Sequence, residues 1–364
     1  MRILVIGGGP VGHACLVNFI IKGADAYGYS RSGHRLTPSG AIQANGVING
    51  TYLPAGVFQN LESLMARAGG LPEIVFVCSP ATELERYAAL LAPHLSNRNT
   101  VFLVVSGRLD DVFFRQQLRL NGVRNMPLVA SSMTTPFTTK FRGAVLDVLA
   151  EKGEVPFFAG TTGASLELKN RLSFALPSLR LVNSSLEMAL QKLQETTHMP
   201  LTLGAFSRLE AGQEVRYYRD NGPGILNLCG VLDAERMEVV NACGVQSPTF
   251  VETQRLEYPE CSGETTAEVI ASTAAYETIK LVGADLRDPT NSFVRRSQED
   301  YGCNAVPLRA IARLAGVQTP MLEACIVLYE NLFAGLGNPL QPGWTLERLA
   351  PGVADLDEFI RLVG

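Results

Sequence analysis

Residues 2 to 6 form a short apolar run, and the chain passes at once into Gly7-Gly8-Gly9-Pro10-Val11-Gly12 before a helical pattern that extends from Val11 to about Lys22 and ends at Gly23. Strand, glycine turn and helix in that order place a G-x-G-x-x-G match in the one context that gives it physical meaning. Gly7 permits the tight turn, Gly9 lets a pyrophosphate approach the backbone, and Gly12 allows helix and strand to pack closely. Pro10 and Val11 open the helix, whose free N–H groups from Val11 onward face the anion. The alternative is a glycine-rich turn without a ligand, and a strand that begins at residue 2 makes it less attractive.

Further apolar runs at 24–29, 73–78, 100–105, 127–131 and 155–159 alternate with helical patterns at 61–69, 82–95, 109–121 and 164–176. Such alternation predicts a mainly parallel sheet with crossover helices on its faces. After 179–182 the strand-like runs mostly stop, and helical patterns take over at 184–197, 202–211, 225–243, 266–281, 304–315, 319–334 and 354–362. The expected architecture is therefore an α/β Rossmann-type dinucleotide-binding domain over residues 1–180 and an all-α-helical catalytic and substrate domain over 181–364. A length of 364 residues suits two domains with substantial cores.

Thirty-one basic residues against 35 acidic ones leave a net charge of −4, too balanced for a nucleic-acid-binding face. No apolar stretch reaches the ~20 residues of a membrane-spanning helix, and the start of the chain leaves no room for a secretion signal. The seven cysteines are scattered, contain no C-x-x-C pair and offer no metal cage of short spacing, so reduced thiols in a cytoplasmic protein are expected.

The second strand ends Tyr27-Gly28-Tyr29-Ser30-Arg31-Ser32, where an NAD-selective protein carries an acidic ribose ligand. Arg31 has the fork that suits a 2′-phosphate, and Ser30 and Ser32 add hydroxyls, so NADPH is favoured over NADH. A solvated surface arginine is the competing reading. Ser79 and Pro80, at the end of the 73–78 run, are placed in the cofactor crevice by position alone.

Of four histidines, His13, His34 and His94 fall on the first helix, in a Ser/Gly/Arg loop and at a helix end. His198 lies in Thr196-Thr197-His198-Met199-Pro200-Leu201, at an expected proline break between helices, which can aim an imidazole into an interdomain cleft. A structural histidine is equally compatible with that segment. Farther on, Val294-Arg295-Arg296-Ser297-Gln298-Glu299-Asp300-Tyr301 precedes a helix that starts near Asn304. Read plainly it is a charged loop capping a helix. Chemically, one carboxylate could orient an imidazole and one arginine could hold a substrate carboxylate.

Taken together, the glycine loop, the all-helical second half, the His-x-Pro-Leu turn and the Arg-x-x-x-Glu-Asp segment leading to Gly316-Val317-Gln318-Thr319-Pro320-Met321 resemble the opine dehydrogenase family. Arg295 to Tyr301, with Tyr329-Glu330, is similar to the branch that builds opine-type metallophores. Leu232-Asp233-Ala234-Glu235-Arg236 resembles the core helix of the amino-acid branch. The stretch between about 255 and 295 is more compact than in the metallophore enzymes, which bears on substrate size.

The resemblance implies an NADPH-dependent reductive condensation of an amino group, on an amino acid or an amine-bearing metallophore precursor, with a 2-oxo acid. It implies His198 as general acid/base, Asp300 as its carboxylate partner and Arg295 as the substrate-binding arginine, with domain closure assembling the centre. Two rivals are a ketopantoate-reductase-like 2-oxo acid reductase and a non-catalytic NADP-sensing module. The first generally favours a lysine base, and the helical half holds only Lys192 and Lys280. Small-molecule substrates are the expected partners, and a homodimer is left open.

Overall fold

The computed structural model describes residues 1–105, 107–282 and 286–363. The chain divides into two compact units, Met1–Val105 with Asp110–Ser185, and Ser106–Leu109 with Leu186–Gly364. The division thus comes at Ser185/Leu186 rather than at 180, and a short piece of the first half belongs to the second unit.

In the first unit, eight strands form one sheet in the order β12 (Leu179–Leu181), β11 (Val155–Phe158), β8 (Leu128–Ser132), β7 (Thr100–Leu103), β6 (Ile74–Val77), β1 (Arg2–Ile6), β2 (Asp25–Tyr29) and β5 (Gly56–Phe58). All neighbours are parallel except β8 and β11. Ile3 pairs with Ala26 on one side and Ile74 on the other. Ile3 to Ile6 and Ile74 to Val77 are completely buried, the pattern of a sheet covered on both faces. The covering helices are α1 (Pro10–Ile21), α2 (Leu61–Ala68), α3 (Leu84–Leu91), α4 (Asp110–Leu120) and α5 (Thr162–Leu172). Because β1 has β2 on one side and β6 on the other, the turn after β1 lies where the strand order reverses, the usual ligand position in such sheets. A second sheet in the order β4 (Gly50–Tyr52), β3 (Ile42–Gly46), β10 (Val145–Glu151), β9 (Phe137–Arg142) falls outside the predicted strands. Its strands are interrupted by polar or glycine residues, as in Phe137-Thr-Thr-Lys-Phe-Arg142 and Val145-Leu-Asp-Val-Leu-Ala-Glu151, so no long apolar run marks them.

The second unit contains α6 (Ser185–Leu190), α7 (Gln194–Glu210), α8 (Pro223–Ala242), α9 (Phe250–Glu257), α10 (Thr266–Ser272), α11 (Ser292–Glu299), α12 (Val306–Leu314), α13 (Pro320–Gly335), α14 (Leu346–Leu349) and α15 (Leu356–Val363). A π-helical turn, Asp300–Ala305, joins α11 to α12. The unit is helical except for one antiparallel pair, β13 (Glu214–Arg216) with β14 (Lys280–Val282), where the sequence suggested helix or loop. Capping boxes at Thr249/Glu252 and Thr265/Glu268 start α9 and α10.

Two buried ion pairs brace the first helices of this unit. Arg108, fully buried, pairs with Glu195 and donates to the carbonyls of Ala189 and, at 2.8 Å, Lys192. Arg236 pairs with Asp233 at 2.7 Å and donates to Leu190 O at 2.6 Å and Pro248 O at 2.8 Å. Asp233 in turn accepts the Phe250 N–H at 2.7 Å. Each charge is paired and bonded to further groups, the condition under which a buried ion is tolerated, although Arg108 Nε and Glu195 Oε2 are buried without a hydrogen-bond partner. Among the described residues no helix is long and apolar enough to cross a membrane, and the seven cysteines are buried and joined by no disulfide.

Candidate active site

The glycine turn fits a dinucleotide. Gly7 has φ 134°, and a Cβ there would stand 2.1 Å from the Cys78 carbonyl oxygen, so glycine alone lets β1 and the end of β6 converge. A Cβ on Gly12 would meet the Gly7 carbonyl at the same 2.1 Å. At Gly9, by contrast, a Cβ would meet nothing within 4 Å. Gly9 is the N-cap of α1 and offers no side-chain cap, with Pro10 at the first helical position. The N–H groups of Val11 and Gly12 are therefore left for an anion.

Ser30 lies at the end of β2, buried, with its Oγ 3.2 Å from Ser32 Oγ. Arg31 is exposed on the turn. No carboxylate follows β2 there, in agreement with the residues read. Ser79 and Pro80 directly follow Cys78, whose N–H donates to Ile6 O at 2.7 Å. His13, set aside in the sequence as a helix residue, joins these pieces. Its Nδ1 contacts Gly9 O at 3.0 Å, and its Nε2 accepts the Arg35 N–H at 3.2 Å, so the neutral Nδ1–H form links the glycine turn to the loop after β2. Burial holds its pKa below the ordinary 6.5.

In the second unit, His198 is not at a break between helices. It lies inside α7, which continues through Pro200 to Glu210. Proline removes the N–H that would bond the Thr196 carbonyl, yet packing retains the helix. Two phenols support this turn: Tyr217 donates to His198 O at 2.8 Å and Tyr329 to the same oxygen at 3.4 Å. Thr202 Oγ1, 2.9 Å from the Tyr217 hydroxyl, completes the support.

The His198 ring is bonded at both nitrogens. Nδ1 lies 3.1 Å from Asp300 Oδ1, and Nε2 lies 3.2 Å from the Tyr218 hydroxyl. The Asp300 side chain is 3% exposed and that of His198 20%, so the carboxylate is sealed and the imidazole reachable. An ionised carboxylate only accepts, which puts the proton on Nδ1 and leaves the Nε2 lone pair to the phenol. Burial pushes the Tyr218 phenol well above its ordinary value, with Arg296 opposing, so it stays protonated and donates.

The two arginines of α11 differ. Arg295 is exposed and makes no ion pair among the described residues. Arg296 stands four residues before Asp300, hence on the same helical face. Arg296 is exposed, as Arg295 is, and makes no ion pair among the described residues, but the Asp300 and Glu299 carboxylates are among the groups that hold its guanidinium above the ordinary value. The structure therefore joins His198 to Asp300 and adds three tyrosines to their surroundings, while among the described residues neither arginine of α11 makes a hydrogen bond or ion pair with the two. The tandem Tyr217-Tyr218 inside a charged segment was the available sequence signal, but no spacing rule ties it to His198.

The other resembling segments are structural supports. Glu235 accepts the N–H groups of Met321 and Leu322 at 2.7 and 2.9 Å, capping α13 in place of its own Thr319. Glu330 accepts from the Tyr301 hydroxyl at 2.6 Å, which steadies the π-turn that begins with Asp300.

Comparison with known proteins agrees with this architecture. Residues 181–333 match the family described as NAD/NADP octopine/nopaline dehydrogenase, alpha-helical domain. An opine dehydrogenase of Arthrobacter sp. (strain 1C) is 26% identical over 353 residues, 95% of this chain and 94% of that protein. An octopine dehydrogenase solved with NADH and L-arginine superposes with a TM-score of 0.71 at 16% identity, over 99% of this chain and 98% of its own. A yersinopine dehydrogenase with NADP+ bound gives 0.65 at 16% identity, over 100% and 97%.

Proposed function

Taking the chain as an NAD(P)H-dependent oxidoreductase of the opine dehydrogenase family, acting on CH–NH bonds, we propose that it condenses a primary amine with a 2-oxo acid and reduces the resulting imine to a secondary amine, with NADPH preferred to NADH. The amine is an amino acid or an amine-bearing metallophore precursor, and the setting is cytoplasmic. The observation that carries the reading is the 3.1 Å contact between His198 and Asp300, an imidazole with a fixed tautomer beside a sealed carboxylate.

When bound, the dinucleotide supplies the hydride that reduces the imine carbon. Gly9 and the N–H groups of Val11 and Gly12 hold its pyrophosphate, Ser79 and Pro80 line its path, and Arg31 with Ser30 and Ser32 takes the 2′-phosphate. His198 moves the protons of the condensation: it removes one from the attacking ammonium and returns one to the hydroxyl that departs as water. Asp300 keeps the ring in its Nδ1–H form and stabilises the imidazolium when it forms.

The oxo-acid carboxylate is held by a guanidinium of α11. The place in the motif favours Arg295, and the shared face with Asp300 favours Arg296, to which we assign it. Incubation with NADPH across a matrix of amines and 2-oxo acids, with product masses recorded, tests the reading. A product mass of amine plus oxo acid minus one oxygen is expected. A 2-hydroxy acid as the only product would establish a simple oxo-acid reductase instead, and NADPH binding without any turnover would establish a sensing module.

A further inference from the structure

We propose that Tyr218 is a catalytic residue of this site, a proton relay whose hydroxyl carries the proton between His198 Nε2 and the substrate nitrogen or departing oxygen. The inference rests on the condensation proposed above and deepens it.

His198 has only Nε2 free for chemistry, since Nδ1 belongs to Asp300. The single in-plane lone pair of Nε2 is already directed at the Tyr218 hydroxyl, 3.2 Å away. A substrate must therefore either displace the phenol or work through it. Displacement is resisted by the way the ring is held. Tyr218 stacks on Tyr276 at 3.9 Å between centroids with planes 9° apart, and it meets Tyr217 edge-on at 5.1 Å. Tyr276 is itself anchored, donating to Gln254 Oε1 at 2.9 Å. The phenols around His198 also divide their work. Tyr217 and Tyr329 address its backbone carbonyl, and Tyr218 addresses the ring.

In the forward step, a proton leaves the substrate nitrogen for the phenol oxygen as the phenol proton passes to Nε2. One N–H and one O–H bond break, and one of each forms. The phenol ends neutral, and the imidazolium charge is balanced by Asp300. The reverse transfer protonates the carbinolamine hydroxyl and releases water. The charged and titratable groups around Tyr218 are His198, Tyr217, Tyr276, Arg296, Asp300, Tyr258 and Glu257.

The test is Tyr218→Phe in the full-length protein, with 3-fluorotyrosine at position 218 as the variant that keeps ring and hydroxyl. We expect dinucleotide binding and the KM for the 2-oxo acid to hold within about twofold, while kcat falls at least about 100-fold, the lower scale of a general acid/base contribution. The fluorinated residue should recover most of that loss. Nitrogen-15 NMR of the histidine side chains gives a readout independent of turnover. Loss of the phenol donor should move the Nε2 resonance of neutral His198 in the phenylalanine variant. Unchanged kcat in a wild-type-competent assay, or an unchanged Nε2 resonance, would overturn the relay. Absence of any condensation product from the unaltered protein would instead overturn the reaction on which it rests.

Discussion

Asp300 Oδ1 stands 3.1 Å from His198 Nδ1 across 102 residues of sequence, and separate backbone devices deliver the two side chains. His198 rides on the turn of α7 that Pro200 weakens and the phenols of Tyr217 and Tyr329 hold. Asp300 is the first residue of a π-helical turn, a feature that often marks functional positions because it re-aims side chains within a helix.

Asp300→Asn should leave the fold and dinucleotide binding intact while lowering kcat by about 100-fold or more, since an amide cannot balance an imidazolium. Steady-state kinetics at several pH values check this. Unaltered turnover throughout would remove Asp300 from the chemistry.

Arg31→Asp should weaken NADPH binding by about 1–3 kcal/mol, the scale of a charge-assisted contact, and spare NADH. Fluorescence titration with both dinucleotides reads it directly. Equal affinities of the unaltered protein for the two would defeat the NADPH preference.

Lysine in place of Arg296 keeps the charge but loses the fork, so the KM for the oxo acid should rise and kcat/KM fall, with NADPH affinity little changed. Arg295→Lys should be nearly silent. The opposite pattern would return the carboxylate contact to the motif position.

Arg108→Met should destabilise the protein by about 3–5 kcal/mol, because Glu195 would be left buried without its partner. Adding Glu195→Leu should recover much of that loss. Chemical denaturation of both variants measures it, and an Arg108→Met midpoint equal to the unaltered one would show the pair to be dispensable.

Acid should weaken the first unit. Burial, followed by the neighbouring His13, depresses His34 from 6.5 to about 4, so the unfolded chain binds its proton first. Stability from this group is complete above about pH 6.5 and is lost as pH falls toward 4. Thermal melting between these limits should fall less steeply in His34→Asn, and an equal slope in both proteins would exclude this residue as the cause.

The sequence by itself determined the elements whose signal is local: an apolar strand, a glycine turn that tolerates no Cβ at Gly7 or Gly12, and the absence of a carboxylate beside Arg31. Those features depend on neighbours within a few residues, so a short window contains their physics, except at Gly7, where the Cβ is excluded by the distant Cys78 carbonyl. It also supplied His198 and Asp300 as separate chemical candidates, and a resemblance to pair them. Tertiary structure alone decided the rest. Continuity of α7 through Pro200 runs against local propensity and is held by hydroxyls from Tyr217 and Tyr329. The second sheet depends on β3 pairing with the distant β10. Tyr218 reaches Nε2 through stacking on Tyr276. Contacts of that kind depend on how distant elements pack, and packing energy is a sum over partners that no single stretch of sequence contains.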